Sequence, residues 1–60
     1  MKIIATDNFA RECVSDRLIC DNINKTLAQT IVRNLNLLTE DENWYFKVVE
    51  DYFTLYEYNP

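Results

Sequence analysis

Apolar positions follow three different rhythms along the chain, and each rhythm predicts a different element. Lys2-Ile3-Ile4-Ala5-Thr6 is short, β-branched and stopped by Asp7-Asn8, which is the pattern of a brief strand. Beyond it, Phe9, Ala10, Cys13, Val14 and Leu18 recur at three- and four-residue intervals, which predicts a helix from Phe9 to about Cys20 with Asp7 or Asn8 as its N-cap. Arg17 falls inside that stripe, so its stem is expected to pack while its guanidinium reaches the rim. Asp21-Asn22-Ile23-Asn24 breaks the pattern. Its Asn and Asp residues suit a cap for the next helix, or the left-handed backbone of a turn that has no glycine.

The second helix has the clearest signal. Leu27, Ala28, Ile31, Val32, Leu35 and Leu38 fall within one arc of about 140° at 3.6 residues per turn, while Gln29, Thr30, Arg33 and Asn34 face away. Asn36 could end it in place of glycine. Leu37 lies off the stripe, so the last turn is either frayed or covered by something else. Thr39-Glu40-Asp41-Glu42-Asn43 then reads as a polar connection.

The third rhythm is alternation in an aromatic tail that holds seven of the eight aromatic residues. Trp44, Phe46 and Val48 share one face and Tyr45, Lys47 and Val49 the other, with Glu50-Asp51 as a turn. Beyond the turn, Phe53 and Leu55 alternate with Tyr52, Thr54, Tyr56 and Tyr58. These residues predict a β-hairpin whose register is loose, because the turn lacks Asn-Gly or Asp-Gly. The fold expected is α+β in the order β-α-α-β-β: one domain over residues 1–60, with a small sheet carrying two helices on one face. The first strand is expected to pair with the edge of the hairpin. Trp44, Phe46, Phe53 and Leu55 are then core. Tyr45, Tyr52, Tyr56 and Tyr58 lie on a sheet face with nothing left to cover it.

Size and composition tighten this picture. A chain of 60 residues buries only about 60% of its unfolded surface. Domains this small usually lean on a disulfide, a metal or self-association. On one helix, Cys13 and Cys20 would lie about 10 Å apart, too far to bridge, so two buried thiols in a reducing compartment are expected. Met1-Lys2-Ile3-Ile4-Ala5 meets Asp7 too soon for a signal-peptide core, and no stretch approaches the length of a membrane span, so a soluble, cytoplasmic protein is expected.

The composition also excludes chemistry. With no glycine, there is no phosphate loop or dinucleotide fingerprint. With no histidine, the commonest general base and zinc ligand are missing. Glu40, Asp41, Glu42, Glu50 and Asp51 fall in loops and turns without a cleft to perturb them, so they read as solvated charge. Asp41, Asn43 and Glu50 lack the spacing of a calcium loop. A reactive thiol would need a basic neighbour, and Arg17 lies four positions after Cys13 and three before Cys20, but core burial is the simpler reading of both thiols. The expectation is therefore no enzyme, no cofactor and no metal.

Charge then points to a surface. Residues 1–37 carry five Lys or Arg against four acids, whereas residues 38–60 carry one against six. That sign argues against direct nucleic-acid binding. Four tyrosines, Tyr45, Tyr52, Tyr56 and Tyr58, rimmed by Glu50, Asp51 and Glu57, fit a protein-binding face, since tyrosine combines a rigid apolar body with a polar tip. Two alternatives accompany this reading: a homodimer formed through hairpin or first-strand edges, and an acidic mimic of nucleic acid that blocks a DNA- or RNA-binding protein.

Asn8-Phe9-Ala10-Arg11-Glu12-Cys13-Val14-Ser15-Asp16-Arg17-Leu18 together with Tyr45-Phe46-Lys47-Val48-Val49-Glu50-Asp51-Tyr52 resembles small uncharacterised proteins of tailed bacteriophages. The resemblance spans most of the chain. Where such chains often place a proline near the hairpin turn, this one has Glu50. The resemblance implies synthesis in a bacterial host cytoplasm and a role in binding a host protein.

Overall fold

The computed structural model describes residues 1–40 and 42–59. Four elements follow in order: β1 (Lys2–Asp7), β2 (Arg17–Cys20), α1 (Lys25–Leu38) and β3 (Trp44–Val49). The fold is α+β, a three-stranded antiparallel sheet in the order β2-β1-β3 with one helix. β1 is the central strand because it is the one stretch that is apolar on both faces. Ile3 and Ile4 are fully buried and Ala5 nearly so, the run expected of a strand covered above and below.

Pairing between β1 and β3 is regular, from Lys2 opposite Val49 to Asp7 opposite Trp44. Ile3, Ala5, Val48, Phe46 and Trp44 therefore share one face, and Ile4, Thr6, Lys47 and Tyr45 the other. α1 packs on the first face, over β3 and β1 and not over β2. It buries Ala28 and half-buries Ile31, Val32 and Leu35, whereas Leu27 and Leu38, at the margin of the predicted stripe, stay exposed. Leu37 is exposed too, with nothing over it. Asn24 is the N-cap, its side-chain oxygen accepting the Leu27 N–H at 3.1 Å. Asn22 takes the left-handed turn conformation, with φ 53°.

Four expectations change. The helix predicted over Phe9–Cys20 is absent: turns occupy its first half and β2 its end. The Arg11 N–H donates to the Asp7 carboxylate at 2.6 Å, and Ala10 has φ 52°, which a continuing α-helix does not allow. Arg17–Cys20 instead pairs with the other edge of β1, which gives the backbone of a fully buried strand its partners. The β-α-α-β-β order is thus replaced by β-β-α-β. Both sides of β1 are paired, so no first-strand edge is available for a second copy.

The second correction concerns the hairpin. The turn forms one residue later than expected, at Asp51-Tyr52, closed by the Phe53 N–H donating to the Glu50 carbonyl at 3.0 Å, but no return strand follows among the described residues. Residues 53–59 cross the face opposite α1, where Phe53 and Leu55 are half-buried. Lys47 lies over the Phe53 ring at 5.4 Å and the Lys2 ammonium reaches the Phe53 carbonyl at 3.5 Å. Trp44 and Phe46 lie on the helix side as expected, whereas Phe53 and Leu55 cover the other side. The tail covers the face that the sequence pattern leaves bare.

Third, Asn36 does not end the helix, which continues to Leu38 with Thr39 as C-cap. Its side-chain amide donates to the Phe46 carbonyl at 3.0 Å and accepts the Phe46 N–H at 2.8 Å. The outer edge of β3 is thereby closed at its midpoint. The thiols also differ from expectation: Cys13 is exposed in the loop and Cys20 half-buried in β2, both free. A single-helix spacing no longer relates them.

Candidate functional site

The tail is positioned from its far end by the loop that replaces the predicted helix. The Asp16 carboxylate accepts the Thr6 hydroxyl at 2.7 Å with one oxygen and the Tyr56 N–H at 2.9 Å with the other. The Asp16 N–H donates to the Tyr56 carbonyl at 2.8 Å, and the Tyr58 N–H to the Ser15 hydroxyl at 2.8 Å. The Tyr56 hydroxyl donates to the Glu12 carbonyl. One loop carboxylate therefore ties β1 and the tail together.

Tyr56 is consequently half committed to structure. The residue remains 47% exposed, but its hydroxyl is spent inside the chain. Tyr52, at the turn, is 86% exposed and is the freest aromatic of the tail. Tyr45 and Tyr58 present about as much surface as Tyr56. The tyrosines do not form the single row that an alternating hairpin would give.

The acidic rim divides as well. Glu50 and Asp51 follow the end of β3 that pairs with Lys2, and the Asp51 carboxylate holds the Met1 amino group at 2.8 Å. That amino group also donates to the Ile23 carbonyl at 3.0 Å. Glu57 lies between Tyr56 and Tyr58, beside Ser15 and Asp16, at the end of the sheet where Thr6 faces Tyr45. Two surfaces result: Tyr52 with Glu50 and Asp51 at one end, and Tyr45, Tyr56 and Tyr58 with Glu57 at the other.

Sequence reasoning missed the Asp7–Arg11 pair. Asp7 is buried on the helix-side face, where its two oxygens accept Arg11 Nη2 at 2.8 Å and Nε at 2.9 Å, in addition to the Arg11 N–H. The guanidinium bonds hold the Asp7 carboxyl at about 2, against an ordinary 3.8, although burial pushes the other way. The sequence pattern instead offers Asp7 as an N-cap of the helix that does not form. Beside it, the Arg17 guanidinium stacks on Trp44 at 5.0 Å, and that of Arg11 on Phe9 at 5.5 Å.

An open cleft of about 400 Å³ lies between Asp7, Arg11, Glu12, Asp16, Lys47, Phe53 and Tyr56. Asp7, Asp16, Lys47 and Tyr56 already have partners within the chain. No group of three or more Cys, Asp or Glu among the described residues is arranged to hold a metal ion. No helix among the described residues is long and apolar enough to cross a membrane. No family model, curated protein or solved structure matches the chain.

Proposed function

We propose that this chain is a non-enzymatic interaction module, encoded by a bacteriophage, that docks on a host protein in the bacterial cytoplasm through its tail. Exposed aromatic surface set in acid carries the reading: Tyr52 is 86% exposed between Asp51 and Phe53, and Tyr58 is 43% exposed beside Glu57. Tyrosine in such a setting contributes rigid contact area at low entropic cost. The acids Glu50 and Glu57 favour a partner with Lys or Arg around an apolar patch, and complementary charge speeds encounter. The acidic groups stand in two separate clusters, which suits ordinary docking better than mimicry of evenly spaced phosphates.

Recovery of partners from a bacterial lysate with wild type and with a Tyr52→Ala/Tyr58→Ala variant tests this reading. These residues are chosen because Tyr56 is also a structural anchor. The variant is expected to lose the partner while keeping its unfolding midpoint. Equal recovery by both proteins would remove the site.

A further inference from the structure

We infer that the helix-side face is a two-fold interface with a second copy of this chain, formed by Leu37 and Leu38 of each copy entering the groove between α1 and β2 of the other. The groove exists because α1 covers only β3 and β1, leaving the β2 side of that face without a lid. It has a volume of about 240 Å³ and is lined by Ala5, Ile19, Phe46, Trp44, Arg17 and Thr39. An apolar cavity of ~150 Å³ already accommodates benzene, so the groove has room for a leucine side chain.

The complementary knob stands beside it. Asn36 is on the flank of α1 that meets the outer edge of β3. Leu38, two residues on, points about 200° away around the helix, toward the groove side. Leu37 and Leu38 are 75% and 80% exposed, the most exposed aliphatic side chains described. Thr39, which follows them, is itself part of the groove wall. A knob and a hole side by side are what an isologous contact requires, because one rotation places each knob in the other copy's hole.

Charge agrees with the same occupant. Arg17 closes one end of the groove with its guanidinium over Trp44, and neither it nor the exposed Glu40 makes an ion pair with any described residue. Glu40 comes two residues after the knob, so seating Leu38 in the second copy carries Glu40 toward that copy's Arg17. The helix-side face lies within an outline of 35 by 28 Å, large enough to hold a contact of the ~800 Å² per partner that a stable complex buries. Edge pairing of strands is the poorer route, since Asn36 closes β3 and a bulge at Ile3/Ile4 interrupts the short β2 ladder.

Sedimentation equilibrium from micromolar to millimolar protein tests the inference. Wild type is expected to pass from monomer to dimer, and Leu37→Ser/Leu38→Ser to raise Kd at least about tenfold with its circular dichroism unchanged. Glu40→Arg is expected to raise Kd, and adding Arg17→Glu to recover most of the loss. A wild type that stays monomeric throughout overturns the inference and returns the groove to a different partner. So does a serine double variant, or a Glu40→Arg variant, that dimerises like wild type. The dimer is independent of the tail reading: Tyr52→Ala/Tyr58→Ala is expected to leave Kd unaltered.

Discussion

Asp7 is the only polar side chain among the described residues that the fold buries, and its three bonds to Arg11 make it a pH-dependent clamp on the loop. Its carboxyl titrates at about 2 in the folded chain, below its ordinary 3.8. The folded state therefore releases this proton more readily than the unfolded chain does. The resulting stability is fully present above 3.8 and disappears as pH falls toward 2. Thermal unfolding followed across that window should show a falling midpoint in wild type. Asp7→Asn should lower the midpoint at neutral pH and flatten the decline below 3.8; an unchanged acid slope would contradict the clamp. At the centre of β1, Ile4→Ala is expected to cost about 2–5 kcal/mol. Small cores supply only about 3–5 kcal/mol in total, so denaturant titration should find much of this variant unfolded in water.

Among the elements, α1 was legible because its signal is local: a periodic stripe, an Asn cap and a polar outer face all lie within one segment. β1 and β3 were legible for similar reasons, and the turn after β3 was placed one residue too early, at Glu50-Asp51 instead of Asp51-Tyr52. What misled was Phe9–Leu18, where helical spacing arose in a segment whose residues have unrelated partners: Phe9 meets Arg11, and Leu18 pairs opposite Ile4. Strand pairing depends on residues far away in sequence, and here it overrides the local pattern. The tail was read correctly as split between apolar and tyrosine sides but assigned to the wrong partner, since nothing local to Phe53 reveals that Asp16 will hold Tyr56. Of the candidate site, the exposure of its tyrosines and acids was legible, and their division between two ends of the sheet was not. Asn36 offers a test at this scale. Asn36→Leu leaves Phe46 without its side-chain partners and should cost about 1 kcal/mol. Hydrogen exchange should show the Phe46 amide losing protection while the β1 amides keep theirs.

For the whole molecule, stability depends on covering β1 from both sides. α1 covers one side, and the loop and tail cover the other. Phe53→Ala removes half-buried cover and should cost about 2 kcal/mol, less than a fully buried phenylalanine would. Removing residues 53–60 should go further and abolish the cooperative unfolding transition, because Ile4 would then face water. A truncated chain that still melts cooperatively would show that the helix layer alone suffices.

The 12 Å thickness of the plate has a consequence for how freely this sequence can change. Among the described residues, only Ile3, Ile4, Ala5, Asp7 and Ala28 are shut off from solvent. Nearly every other side chain has somewhere to go when it is replaced. Heritable variation should therefore pass easily through the outer helix face and the tail tip, and stall at one short strand and at Arg11 and Asp16, the loop residues tied to it. A saturation library scored for folded protein should show intolerance concentrated at residues 3–7 and at position 28, with a second tier at Arg11, Asp16 and Phe53. Descendants of such a chain would keep a plate around one guarded strand while sharing few letters elsewhere.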